Sequence, residues 1–255
     1  MTNTGNYTHK DSRPAKRPIF REALWGIDWV SLRASAIYYG FGAKRGDGSA
    51  VVLIPGFMGT DYYMTELYFW LWRIGYKPYM SGIGWNANCL DKLGKKLVAT
   101  IEKAEAETGK PVHLIGHSLG GILARSAAVQ RADIVRSVVA LGSPFRGIRS
   151  HPAVMKTADQ IRARILRETN NEHPECFTGN CDCQTVRAWD TCFPPTILQT
   201  AVYTETDGIV DWQVCVDDEA TNNYKVSGTH VGLVVNPQVY RIIANRLFKS
   251  NERAA

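Results

Sequence analysis

From Ala50 onward the chain alternates between short apolar runs and longer stretches whose apolar residues recur at helical spacing. Ala50 to Ile54 is apolar and mostly β-branched and ends in Pro55-Gly56, which predicts a buried strand. Asp61 to Ile74 predicts a helix, with Asp61 as its N-cap and Gly75 at its end. Between Tyr62 and Trp72 that helix is apolar nearly all round, which predicts burial on more than one side. Lys77 to Ile83 predicts a strand, Leu90 to Thr108 a helix closing at Gly109, and Pro111 to Ile115 a further buried strand. Ser118 to Val129 follows as a helix and Ile134 to Leu141 as a strand. Thr196 to Tyr203 and a short run near Lys225 are later strands. Pro237 to Phe248 closes the chain as a helix, with Asn236 as N-cap and Pro237 in its first position. Strands alternating with helices of this length predict an α/β fold, a mostly parallel sheet with helices on both faces.

Two regions break the rhythm. Phe145 to Pro195 separates two strands by some fifty residues, too long for an ordinary connection. It contains a helical piece, Ala153 to Arg167, and a cysteine-rich loop, and it reads as a small cap over one end of the sheet. At the other extreme, residues 1–18 read as a flexible arm and residues 19–255 as one domain carrying the cap, at about 145–195. Phe20 to Tyr39 predicts an amphipathic helix, with Leu24, Ile27, Leu32 and Ala36 near helical spacing and Trp25 and Trp29 broadening the apolar face. That face is expected to pack on the fold in preference to lying at a lipid surface. Glu22, Asp28 and Arg33 within it exclude a transmembrane span.

Composition changes this picture little. Of 255 residues, 45% are apolar and 21% charged, ordinary for a soluble globular domain. The net charge of +6 arises from short scattered basic groups, Lys10 to Arg21, Lys92 to Lys96 and Arg162 to Arg167, with no nucleic-acid motif beside them. They read as solvated faces, and no nucleic-acid partner is expected. Met1 to Arg17 lacks the apolar run of a secretory signal, so the expected location is cytoplasmic. Cys176, Cys181, Cys183 and Cys192 fall in the cap, Cys89 opens a helix, and Cys215 lies further on. The spacing matches no standard zinc knuckle; disulfides, free thiols and a metal remain open, and no metal site is assigned.

The strongest chemical signal is Val112 to Gly121, a buried strand running through Gly116-His117-Ser118-Leu119-Gly120-Gly121 into a helix. Glycines at positions 116 and 120 let the backbone double back, and the serine between them is forced into a strained geometry above the sheet edge. Ser118 is therefore the candidate nucleophile, with the helix N-terminus favouring negative charge beside it. His117, adjacent in sequence, points away from the hydroxyl and reads as a packing residue or a support behind the site, not as the catalytic base.

This run resembles the nucleophile elbow of α/β-hydrolase lipases and esterases, and the likeness extends over about residues 50 to 248 in the same chain order. The resemblance implies a carboxylic ester hydrolase working through an acyl-serine, with no cofactor. It implies a small-molecule or lipid ester as substrate, transient contact with a lipid interface, and no obligate protein partner. Acyl transfer and cleavage of thioesters or amides share the same chemistry and stay open, as does a non-catalytic binding protein on the same fold. The family order places an acid and then a histidine after the serine. His230, in a Gly-flanked loop before the last helix, is the histidine left to fill the role. Asp207, before Gly208, looks like the family's acid turn; Asp211 and Glu205 are its competitors. Oxyanion donors are expected at the amide of Leu119, after the serine, and in the loop Leu53 to Thr60. There Pro55 stands where many lipases have histidine. The analogous donor is the amide of Phe57, with Met58 as its neighbour should the register differ by one.

Overall fold

The computed structural model describes residues 18–170 and 181–252; the arm, apart from Pro18, and Cys176 lie outside the described residues. Among these residues six strands form one sheet: β1 (Ala50–Ile54), β2 (Lys77–Met80), β3 (Val112–His117), β4 (Val135–Leu141), β5 (Leu198–Tyr203) and β6 (Asn223–Lys225). Their order is β2-β1-β3-β4-β5-β6, and every pairing is parallel. Among the described residues seven α-helices accompany them: α1 (Trp25–Arg33), α2 (Thr65–Arg73), α3 (Leu90–Thr108), α4 (Leu119–Gln130), α5 (Pro152–Glu168), α6 (Gln184–Asp190) and α7 (Pro237–Glu252).

The continuous apolar runs are explained by burial on both faces. Side chains alternate across a strand, so Val51 and Leu53 of β1 join one core while Ala50, Val52 and Ile54 join the other. The first core is closed by α2 and α7, through Leu67, Trp70, Tyr240 and Ile243. The second is closed by α3, α4 and α6, through Leu97, Ile101, Leu123 and Trp189. Each such aliphatic side chain contributes about 1.5–3 kcal/mol when fully buried. Among the described residues no helix is long and apolar enough to cross a membrane.

Three expectations need correction. The helix predicted over Phe20 to Tyr39 is broken into a 3-10 turn at Ile19–Leu24, then α1, then a second turn at Ala36–Tyr39. Ser35 adopts an extended conformation that ends α1, and Gly40 closes the second turn with a positive φ. Leu24, Trp25, Ile27 and Val30 are exposed, whereas Glu22 is only 7% exposed. Periodicity marked the apolar stripe but not the side that faces the protein. The segment Asp61 to Ile74 begins as a 3-10 turn, and its aromatic residues Tyr62, Phe69 and Trp72 face solvent while Leu67, Trp70 and Leu71 are buried. Asp61 does not cap it; its carboxylate accepts from Ser81 Oγ (2.5 Å) and Gly82 N (3.1 Å), tying the end of β2. Finally, the cap region divides: α6 packs beside α3 and α4, while residues of α5 line the cavity described below.

Candidate active site

In a parallel sheet all strand ends of one sense lie on one edge, and residues just beyond them converge there. The loops after β1, β3 and β5 bring Phe57, Ser118 and Asp207 to that edge. A single residue separates β3 from α4. Ser118 holds φ 52° and ψ −124°, a conformation that costs about 1–3 kcal/mol away from glycine. The surroundings hold it there: its amide donates to Leu141 O (2.8 Å) and its carbonyl accepts from Gly121 N (2.9 Å). A Cβ on Gly116 would overlap the backbone of Gly120 and Gly121, and one on Gly120 would overlap the carbonyls of Ile54 and Pro55. The motif glycines are thus required by close approach of backbone to backbone.

His230 Nδ1 and Asp207 Oδ2 are 2.6 Å apart, and both side chains are buried. The other oxygen of Asp207 accepts from Ile209 N (2.8 Å) and Val210 N (2.7 Å). Its competitors are occupied elsewhere: Glu205 pairs with Lys225 (2.6 Å), and Asp211 caps the turn at Trp212–Val214 and faces Arg149. Burial disfavours the His230 imidazolium, but the charge and hydrogen bond of Asp207, with a contribution from Glu22, outweigh it and raise the pKa above the ordinary histidine value.

Around Phe57 the neighbouring amides are committed. Gly56 N donates to Tyr63 Oη (2.5 Å), and Met58 N donates to Asn86 O (2.9 Å). The Met58 amide is thus already engaged by a backbone carbonyl. Leu119 N opens α4, where no intrahelical acceptor exists for it. Ser118, His230, Phe57 and Leu119 all line one cavity of about 460 Å³, whose walls include Ile122, Val154 and Met155.

A relay that sequence reasoning missed supports this arrangement. His117 Nε2 lies 3.0 Å from the carbonyl of His230, which can only accept, so Nε2 carries the proton. Burial, and then the nearby His230, push the His117 pKa down to about 3, so the ring is neutral and Nδ1 is bare. Tyr63 Oη therefore donates to Nδ1 (2.8 Å) while accepting from Gly56 N. One chain of hydrogen bonds joins the loop after β1, the elbow and the His230 loop. The only sequence signal for it was a histidine inside the motif and a tyrosine in an apolar helix. Replacing Tyr63 with Phe leaves buried groups unsatisfied at both ends, and a loss of about 2–4 kcal/mol is expected in urea unfolding; an unchanged midpoint would remove the relay from the structural account.

Among the described residues no disulfide joins Cys89, Cys181, Cys183, Cys192 and Cys215, and no cluster suited to a metal occurs.

A parallel six-stranded sheet with helices on both faces and a one-residue strand-to-helix turn after β3 is the fold of an α/β-hydrolase. Solved structures agree in fold: a monoacylglycerol lipase from Paleococcus ferrophilus has a TM-score of 0.54 at 16% identity, covering 82% of this chain and 97% of its own. An α/β-hydrolase enzyme from a lagoon-sediment metagenome has a TM-score of 0.52 at 20% identity, covering 82% and 94%. A family model for palmitoyl protein thioesterase matches residues 63–205, more than half of the sequence, and the chain belongs to that family. Triacylglycerol lipases are similar over a shorter stretch. That of Vibrio cholerae is 36% identical over 103 residues, and that of Pseudarthrobacter phenanthrenivorans 33% over 106, each covering 38% of this chain. The chain spans about a third of the length of these curated relatives.

Proposed function

We propose that the protein is a serine hydrolase of carboxylic esters with apolar acyl groups. The observation that carries this reading is the buried Asp207–His230 pair, whose histidine lines the same apolar-walled cavity as the strained Ser118. In the reaction, His230 Nε2 takes the Ser118 proton as Oγ attacks the ester carbonyl. The tetrahedral oxyanion is held by the amides of Phe57 and Leu119. Its collapse expels the alcohol, which takes the proton from His230, and leaves an acyl-serine. Water, deprotonated by His230, attacks that acyl group; the second collapse returns Oγ to Ser118 with its proton and releases the acid.

Thioester cleavage is the second reading, favoured by the family to which the chain belongs. The two differ only in whether oxygen or sulfur leaves. Turnover of p-nitrophenyl esters of graded chain length, set against acyl thioesters of the same chains, separates them. Labelling with a fluorophosphonate, with the adduct mapped by mass spectrometry, is expected to mark Ser118; an adduct elsewhere ends both readings.

The pH profile is a further expected result. His230 must be neutral to act as base, and its raised pKa keeps it protonated to higher pH. The acid limb of kcat/KM should therefore have its midpoint above the ordinary histidine value of about 6.5. A midpoint below that value would separate the limb from His230.

A further inference from the structure

The segment before β1 is oriented against ordinary expectation: Phe20 is 75% exposed while the adjacent-turn residue Glu22 is 7% exposed. Burying a carboxylate is costly unless donors meet it. The donors here are informative. Glu22 Oε1 accepts from Gly208 N (2.9 Å) and Oε2 accepts from Val231 N (3.0 Å). Gly208 follows Asp207 and Val231 follows His230, so one carboxylate bridges the acid loop and the base loop directly behind their ion pair. A Cβ on Gly208 would stand 3.1 Å from Oε1, so glycine allows the approach. Asp28 of α1 reinforces the same loop, its Oδ2 accepting from Thr229 N and Oγ1 at 3.3 Å each.

We propose that Glu22 is a positioning residue of the hydrolytic site, fixing the spacing and orientation of the Asp207 and His230 loops through its two backbone contacts. The proposal rests on the reading of Ser118, His230 and Asp207 as the triad. Its charge has a second consequence, since it favours the protonated state of His230 reached in the transition state. The groups around His230 are Asp207 beyond β5, Glu22 and neutral His117 at the end of β3, with Asp28 of α1 held one residue away on Thr229.

The test compares wild type, Ser118→Ala, Glu22→Gln and Glu22→Asp in steady-state hydrolysis of a p-nitrophenyl ester across pH, with thermal melting of each. Glu22→Gln loses the charge and sets an amide NH2 against a backbone donor. It should lower kcat about 10- to 100-fold with KM nearly unchanged. It should also move the acid limb of kcat/KM down by about half a pH unit, because a negative charge near His230 is gone. Glu22→Asp, which keeps the charge, should leave that limb near its wild-type position. A folded Glu22→Gln enzyme with unchanged kcat and acid limb overturns the proposal. So does a fall in melting temperature with the acid limb unmoved, which is a structural role alone. Should Glu22→Gln fail to fold, Glu22→Asp serves in its place: its carboxylate is one methylene too short to keep both amide contacts, so kcat should fall with the acid limb kept, and unchanged kcat there overturns the proposal equally. Turnover retained by Ser118→Ala strikes instead at the hydrolase reading itself.

Discussion

Replacing Ser118 by alanine is expected to reduce turnover of a p-nitrophenyl ester by about 10⁴-fold or more, with the fold unchanged. The substitution removes one oxygen atom. Alanine meets the same backbone strain as serine at φ 52°, and the anchors that hold the elbow are backbone groups of Leu141 and Gly121. Stability should therefore change little, which makes the loss readable as chemistry. The oxyanion donors and cavity persist, so a residual rate above that of water is expected. The size of the fall follows from losing the acyl-enzyme route: with no nucleophile, the remaining route is direct attack by water, which must be positioned and deprotonated at once. Burst kinetics at the wild-type enzyme and their absence in the variant check the same point. Full activity in Ser118→Ala would end the assignment.

How much of this was legible in the sequence depends on whether the information is local. The elbow was legible because strand, glycines and helix are contiguous, and the backbone contact that demands glycine at 116 lies within the motif; the one at 120 comes from Ile54 and Pro55 at the end of β1 and was not legible. The inner strands were legible because both faces of a parallel sheet are buried there and most of their residues are apolar; the edge strands β2 and β6 are only partly buried and carry a weaker signal. Asp207 was singled out from chain order and turn position, but Asp211 and Glu205 stayed open until three-dimensional partners separated them. The first helix was misjudged for a physical reason. Its apolar stripe suggested an inward face, but the inward side is set by Glu22 and Asp28, whose donors lie about two hundred residues away. No local pattern announces a carboxylate that will meet backbone amides from distant loops. The Tyr63–His117 relay is of the same kind, since its members are separated by 54 residues and each has an ordinary core reading.

The second large effect is expected at the acid. Asp207→Asn should lower kcat about 10⁴-fold near pH 7, while Asp211→Asn and Glu205→Gln stay within about twofold of wild type. Orientation of the imidazole is what the substitution changes. Asp207 Oδ1 accepts from two backbone amides, Ile209 N and Val210 N, so an asparagine must keep its carbonyl oxygen on that side. Its NH2 group then faces His230 Nδ1, which must accept instead of donate. The imidazole proton is driven to Nε2, the atom that has to take the proton of Ser118, and the base is lost without any change in shape. Asp207→Asn also removes the charge that holds the His230 pKa up, so the imidazolium formed on attack loses its partner in a buried site. Neither effect arises at Asp211, whose carboxylate caps a short turn and lies 3.8 Å from the partly exposed Arg149, or at Glu205, whose pairing with Lys225 is exposed to solvent. Melting temperatures of all three variants should stay close to wild type at neutral pH. Loss of activity in Asp211→Asn with retention in Asp207→Asn would transfer the role of acid to Asp211 and leave the 2.6 Å contact at His230 without a catalytic part.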